Sequence, residues 1–316
     1  LNIRSEESKD MHAIALVHAE AFTYGMGAGE SALMGILRHR EAFDRELSLV
    51  AEADGKMIGH VSFTPYTFYA GGARVQGVIL APIAVLPEYQ KLGVGSRLIE
   101  EGHARVKAKG YGLSLLIGHP SYYPRFGYEP GLWGLHHIRI AWEDVPELRR
   151  TVNERRVEPS DIPALRSMWS YWFKEAGFAV QPGESLLDWI SRGRGIQTTA
   201  VMIEGRLAGY MRYDRFTANK PISLLAENGE ALSVLCSYLK SRLAPDGKRD
   251  LFLPLPLESS GFNEFKLPYA AEFKTGPEMM LHVLKPEDPA LNDYCTGVAA
   301  GTILPGPIVW PVEFDV

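Results

Sequence analysis

Val78–Pro130 reads VILAPIAVLPEYQKLGVGSRLIEEGHARVKAKGYGLSLLIGHPSYYPRFGYEP. An apolar run, Val78–Val85, leads into Gln90-Lys91-Leu92-Gly93-Val94-Gly95. Val94, Leu98, Ile99, Gly102 and Val106 then fall on one face of an α-helix, and Gly110 stands where a C-terminal glycine cap belongs. A second apolar run follows at Leu113–Ile117, and Tyr123-Pro124-Arg125-Phe126-Gly127-Tyr128 closes the unit. This is strand, glycine-turned loop, helix and strand. A helix N-terminus presents unpaired N–H groups and partial positive charge, which favours an anion. Gly93 and Gly95 let phosphate oxygens approach the backbone, and Lys91 and Arg97 add mobile positive charge. An isolated GxG would do no more than turn the chain. Between this strand and this helix it reads as a pyrophosphate site.

Gln90-x-x-Gly93-x-Gly95, after a strand ending Ala84-Val85-Leu86-Pro87, resembles motif A of the GNAT N-acetyltransferase superfamily. Tyr123-x-x-x-Gly127-Tyr128 resembles its motif B ending, with Tyr128 where Phe is usual. Gly118-His119-Pro120-Ser121-Tyr122-Tyr123 is similar to the YhbS-like branch, in which Asp is commoner at the position of His119. The resemblance implies an α/β (α+β) fold, a mixed twisted sheet flanked by helices. It implies acetyl-CoA as co-substrate and direct transfer of the acetyl group to an amine of a small molecule or a protein. By the same resemblance the pantetheine arm pairs with the backbone of Ile83, Ala84 and Val85. The pyrophosphate takes the backbone of Gln90, Lys91, Leu92, Gly93, Val94, Gly95 and Ser96, helped by the side chains of Gln90, Lys91 and Arg97. A thioester is already activated, so no metal is expected.

The chemistry sets the remaining roles. An alkyl ammonium has a pKa of about 10.4 and must lose a proton before it attacks. The leaving sulfur needs one. Tyr123 is the candidate general acid, with Tyr122 as second choice; a phenol of about 10 against a thiol of about 8.5 makes the transfer slightly uphill in water. The general base stays open. His119 is nearest in the motif, and histidine is the residue type most often used as a general base; Glu52 and His60 are alternatives. Phe22, Tyr24, Met26 and Trp133 are candidates for an acceptor pocket. His136 and His137, adjacent on a strand, point to opposite faces and make no metal site.

Composition narrows the class. The chain has 316 residues, 46% hydrophobic and 22% charged, with a formal net charge of −5. That is ordinary for globular protein, gives no general basic character for nucleic acid, and favours two domains over one. No apolar run approaches the ~20 residues of a membrane span, and Leu1–Asp10 is polar and charged, unlike a secretory leader. The expectation is a cytoplasmic protein with no membrane partner. Two cysteines, Cys236 and Cys295, read as free thiols.

Along the chain, helices are expected over Asp10–Phe22 and Ser31–Arg40, with Tyr24–Glu30 a glycine-rich loop. Strands are expected at Leu47–Ala53 and Met57–Tyr69 about an Asp54-Gly55 turn, at Val75–Leu86, and as a final pair over Gly131–Ala141. Trp142–Glu154 reads as a linker. From Arg155 the pattern begins again, with Asp161 as a helix cap, strand–turn–strand at Thr198–Tyr213 and a helix over Gly229–Leu243. Where a second phosphate loop belongs, the chain has Ala226-Glu227-Asn228-Gly229-Glu230, whose carboxylates would repel a pyrophosphate. The expected organisation is a catalytic GNAT domain over 1–148, a degenerate GNAT-like domain over 151–286 and an extended tail over 287–316. The apolar end of that tail is expected to pack on the other domain or on a partner subunit, as in a homodimer. The alternatives to an enzyme are a non-catalytic acyl-CoA sensor, which binds acetyl-CoA without releasing thiol, and an interaction protein, which does not bind it.

Overall fold

The structure, a computed structural model, describes residues 1–22, 27–243 and 249–315. Its first sheet starts with four antiparallel neighbours: β1 (Asn2–Ser5), β2 (Ser48–Ala53), β3 (Lys56–Ala70) and β4 (Ala73–Val85). Asp54 and Gly55 both take positive φ, 50° and 76°, as a tight hairpin between β2 and β3 requires. β5 (Leu113–Ile117) runs parallel to β4, so a crossover must join them, and α3 (Val94–Ala108) is that crossover. Ahead of it lie α1 (Met11–Ala21) and α2 (Gly27–Leu37). α2 thus begins inside the stretch expected to be loop. α3 buries Val94, Leu98, Ile99, Gly102 and Val106, the face that its periodicity marks. It lies so close to β3 that a Cβ on Gly102 would overlap the Phe63 ring.

One feature of β4 shapes everything downstream. Val61 pairs with Ile83 and Phe63 with Leu80, so Ala81 and Pro82 together oppose the single residue Ser62. This bulge bends the strand, and Pro82 has no N–H to lose to a ladder. β4 pairs with β5 only from Gly77–Leu113 to Ile79–Leu115. Past that point the two strands separate.

The second half repeats the opening of the first. Arg4 makes a bidentate pair with Asp10 at 2.6 and 3.0 Å, and the Glu7 N–H donates to Asp10 at 2.7 Å. Arg155 does the same with Asp161 at 2.7 Å twice, and the Glu158 N–H donates at 2.8 Å. Each set joins an edge strand to the helix that follows, here α4 (Ile162–Phe173). Asp161 stands at the N-cap of α4 without a side-chain bond to the helix, because Arg155 and the Glu158 N–H occupy its carboxylate. The second sheet runs Ser223–Ala226, Arg206–Asp214, Ile196–Ile203 and Val152–Arg155, with Glu204 and Gly205 again at positive φ in the turn. Its helix is α5 (Gly229–Arg242).

Sheet boundaries do not follow the boundaries read from the sequence. Gly131–Ala141 is one strand, Trp133–Ile140, not a pair, and it leaves the first sheet for a third one with Leu251–Leu253, Ala270–Lys274 and Gly306–Pro307. Its place beside β5 goes to Met279–Val283, which pairs antiparallel along all of β5. Phe178–Gln181 adds to the far end of β3. The stretch 151–286 therefore contributes strands to all three sheets, and Val152–Arg155 makes a strand of the expected linker. The tail is not wholly extended: Asp288 caps α6 (Pro289–Ala299) by accepting from the Ala290 and Leu291 N–H groups. Its apolar end packs on its own chain, with Trp310 against Trp133 at 5.5 Å and Glu313 buried against Arg40.

Candidate active site

Two depressions meet at the N-terminus of α3. The first is lined by Val85, Tyr89, Gln90, Lys91, Gly93, Val94, Gly95, Ser96, Tyr122 and Arg125. Gly93 is the N-cap at φ 85° and offers no side-chain cap, so the first-turn N–H groups stay open toward the groove. The Gln90 side-chain amide donates to the Val85 carbonyl at 3.0 Å, which ties the loop to the end of β4. A Cβ on Gly95 would sit 2.7 Å from the Tyr122 hydroxyl oxygen. Glycine is therefore what keeps this wall open.

The second depression is a cleft where β4 and β5 part. It is lined by Leu80–Val85, Gln90, Gly95, Ala21, Phe22, Glu30, and Ile117–His119 with Tyr122 and Tyr123. Val85, Gln90, Gly95 and Tyr122 line both, so groove and cleft form one continuous channel. Its floor is the stretch Leu80–Val85, whose side toward β5 has lost its ladder partner.

The structure brings together Ile83, Ala84, Val85, Gln90, Lys91, Gly93, Val94, Gly95 and Ser96. It does not bring in Leu92, whose side chain is 71% exposed and lines neither depression. Nor does it bring in Arg97, which lines a separate depression with Leu1–Ile3, Glu100 and Glu101. The reason is helical phase: at about 100° per residue the Arg97 side chain leaves α3 on the side of Glu100 and Glu101, away from the groove. Its place is taken by Arg125, missed by the sequence reading. Arg125 stacks 4.2 Å from the centre of the Tyr122 ring and donates to Ser96 Oγ at 3.0 Å.

Tyr123 is buried at the inner end of the channel, in the short turn Tyr123–Phe126. Gly118 makes room for its ring, since a Cβ there would overlap it. Burial, then the neighbouring Tyr122, push its phenol up to about 12. Tyr128 is a structural tyrosine: buried, its hydroxyl 2.6 Å from Ser114 Oγ and 3.0 Å from His103 Nε2. His119 is exposed at the rim of the cleft. Trp133 is fully buried in the third sheet, away from the cleft; Phe22 lines the cleft, and Tyr24 and Met26 lie outside the described residues. Among the described residues no group of three or more metal-binding side chains comes together. None of their helices is long and apolar enough to cross a membrane.

The other two base candidates are placed by their partners. Glu52 accepts from Arg4 at 2.6 Å on β2, two strands away from the cleft-lining β4. His60 is fully buried in a chain of hydrogen bonds whose polarity can be worked out. Arg38 holds Glu6 through two bonds, so the Glu6 carboxylate only accepts, and Ser48 donates to it at 2.7 Å. Ser48 Oγ then accepts from His60 Nε2 at 2.8 Å, and His60 Nδ1 accepts from His18 Nε2 at 2.8 Å. His18 Nδ1 is left as a buried lone pair without a partner among the described residues. Burial drives both imidazoles down, His18 to about 3. His103 is likewise lowered to about 3, first by burial and then by His282.

These neutral histidines imply an acid-labile fold. Their folded values lie below the ordinary 6.5, so the unfolded chain takes up protons first as pH falls. Stability is full above pH about 6.5 and declines below it, each such histidine adding up to about 1.4 kcal/mol per pH unit. Denaturant midpoints measured from pH 7.5 to 4.5 should drop. They should drop less steeply in His103→Gln, and a slope unchanged by that substitution would contradict the assignment.

A family model described as an acetyltransferase (GNAT) domain matches residues 2–131. The uncharacterized N-acetyltransferase YjhQ of Escherichia coli is 39% identical over 124 residues, spanning 39% of this chain and 67% of that protein. YhbS of E. coli is 37% identical over 97 residues, 30% of this chain and 56% of its own length, so this chain spans little more than half of that relative. In three dimensions the chain is similar to a GCN5-related N-acetyltransferase from Kribbella flavida. The TM-score is 0.67 at 19% identity, over 92% of this chain and 72% of that one, a likeness of fold that reaches past the matched domain. An N-terminal half with this channel, this family model and a relative shared over most of its length places the chain in the GNAT family of N-acetyltransferases.

Proposed function

We propose that this protein transfers an acetyl group directly from acetyl-CoA to an amine of a small molecule or a protein. The observation that carries the reading is the continuous channel from the α3 N-terminus, along the freed edge of β4, to Tyr123. The groove suits a pyrophosphate: open N–H groups at Val94, Gly95 and Ser96, with Lys91 and Arg125 beside them. The edge at Ile83–Val85 suits the two amides of pantetheine, which add to it as a strand would. Acetyl-CoA supplies an activated acyl carbon. A backbone N–H near Val85 is assigned to the charge that develops on the thioester oxygen. Tyr123 is assigned the proton for the departing sulfur. At working pH it is fully in its donor form, because its phenol is held near 12.

The second half is read as a GNAT-like unit that has lost its ligand. At the N-terminus of α5, the Asn228 side chain accepts from the Ala231 N–H at 2.9 Å, where a phosphate would bind. A Cβ on Gly229 would lie 2.6 Å from the Phe265 backbone nitrogen, so the chain itself fills the approach. Calorimetric titration is expected to give one CoA per chain; two sites of equal affinity would refute this. A panel of amines assayed for thiol release tests the reaction. Binding of acetyl-CoA without thiol release from any amine would leave a sensor rather than an enzyme.

A further inference from the structure

The two ends of the channel carry opposite charge. The groove at the α3 N-terminus holds Lys91 and Arg125. The cleft beside Tyr123 holds one acidic side chain among its lining residues, Glu30. Glu30 lies in the first turn of α2, half-buried across the cleft from the parting strands. The titratable groups that share the cleft are His119, Tyr122 and Tyr123, all from the turn after β5. The walls from α1 (Ala21, Phe22) and β4 (Leu80–Val85) contribute none. Burial raises the Glu30 carboxyl, and among the described residues no neighbouring charge offsets it. A half-buried carboxylate with no cation beside it among the described residues is costly unless one comes to it. Much of the remaining cleft wall is apolar, including Phe22, Leu80 and Ile117.

We propose that Glu30 receives the acceptor as an ammonium ion and takes its first proton, and that the acceptors are alkyl amines with no anionic group next to the nitrogen. This rests on the transferase reading above. The step balances. Glu30 removes one N–H proton and later passes it to solvent, leaving a lone pair on nitrogen. That pair forms the C–N bond as the C–S bond breaks. A second N–H proton then leaves the nitrogen and offsets the one that Tyr123 gives to sulfur. A raised carboxyl suits the task, because a base works best when its pKa approaches the working pH. An α-carboxylate on the acceptor would face Glu30 across a partly dry cleft, where like charges repel more strongly than in water.

The test uses the full chain with paired probes, 2-phenylethylamine against phenylalanine and agmatine against arginine, within a wider panel of primary amines. Thiol release is followed from pH 6 to 9, with acetyl-CoA affinity measured separately. The carboxylate-free member of each pair is expected to be the better substrate. Glu30→Gln should lower kcat/KM by about 10²-fold or more at pH 7, with acetyl-CoA affinity unchanged. The deficit should shrink toward pH 9, where solvent supplies more neutral amine, and Glu30→Asp should restore part of the rate. A Gln variant within threefold of wild type across the pH range, or a preference for the carboxylate-bearing probes, overturns the proposal. Wild-type protein that binds acetyl-CoA but acetylates nothing overturns the transferase reading, and the proposal with it. Glu30→Gln that loses acetyl-CoA binding would show a structural role instead.

Discussion

Gly95→Glu is expected to abolish acetyl-CoA binding while leaving the protein folded. A Cβ at this position lies 2.7 Å from the Tyr122 hydroxyl, the far end of a side chain on the groove wall, so Tyr122 has to give way and the new carboxylate enters the groove. There its carboxylate sits at a helix N-terminus, where negative charge stabilises the helix. The substitution thus supplies an internal competitor for the pyrophosphate, and the fold has no reason to suffer. Repulsion between two charges 4 Å apart near a surface is about 4 kcal/mol, or about 10³-fold in affinity, and a pyrophosphate carries more than one. Gly93→Glu should bind as poorly by a second route. Gly93 is at φ 85°, with nothing within 4 Å of a Cβ, so the new side chain meets no clash but strains the backbone. That strain is about 1–2 kcal/mol, and this variant alone should melt earlier. Calorimetry with acetyl-CoA, paired with thermal unfolding, separates the two effects. Wild-type affinity in both variants would mean that the pyrophosphate binds elsewhere.

The loop was legible in the sequence because it is a local feature. A strand, two glycines and a helix with one apolar face lie within thirty or so consecutive residues, and short-range geometry determines what they make. Arg125 was not legible. It falls at a variable position of the tyrosine turn, and only the turn's curl lays it over Tyr122 and against Ser96. Arg97 was the more attractive cation in the sequence. It loses its place because a helix turns about 100° per residue, which carries its side chain round toward Glu100 and β1. The bulge at Ala81–Pro82 did leave a signal, since a proline inside an apolar run marks an edge or a bulge. Partner choice left none. Trp133–Ile140 and Met279–Val283 both carry a buried apolar face, and period two says which face is buried without saying which neighbour is taken. Hence the sequence boundaries at 148 and 286 miss the exchange of strands between sheets. Glu30 was overlooked for a related reason. It lies more than fifty residues before the motif, in a stretch read as loop, and only the packing of α2 brings it into the cleft that Tyr123 also lines.

Tyr123→Phe is the substitution that bears most directly on the chemistry. The ring is buried against Tyr122 and Tyr128, with centroids at 5.1 and 5.8 Å, and among the described residues no side-chain hydrogen bond holds the hydroxyl. Phenylalanine therefore keeps the packing and deletes only the donor. Acetyl-CoA affinity should not change, and kcat should fall by about 10²–10⁴-fold, the usual worth of a placed general acid. A phenol held near 12 is a weaker acid than free tyrosine, which at first sight weakens the assignment. The objection fails because the same dry pocket also penalises the thiolate, so donor and acceptor rise together. It also predicts a pH profile: the donor stays protonated throughout the working range, so Tyr123 should impose no basic limb below pH about 10. With a thioester whose leaving thiol is more acidic, the deficit of the Phe variant should contract, because that sulfur departs with less help. Should Tyr123→Phe keep nearly full kcat where chemistry limits the rate, Tyr123 has no part in the proton transfer. Tyr122→Phe then decides between its neighbour and water: a lost rate names Tyr122, and a retained one leaves solvent as the source of the proton.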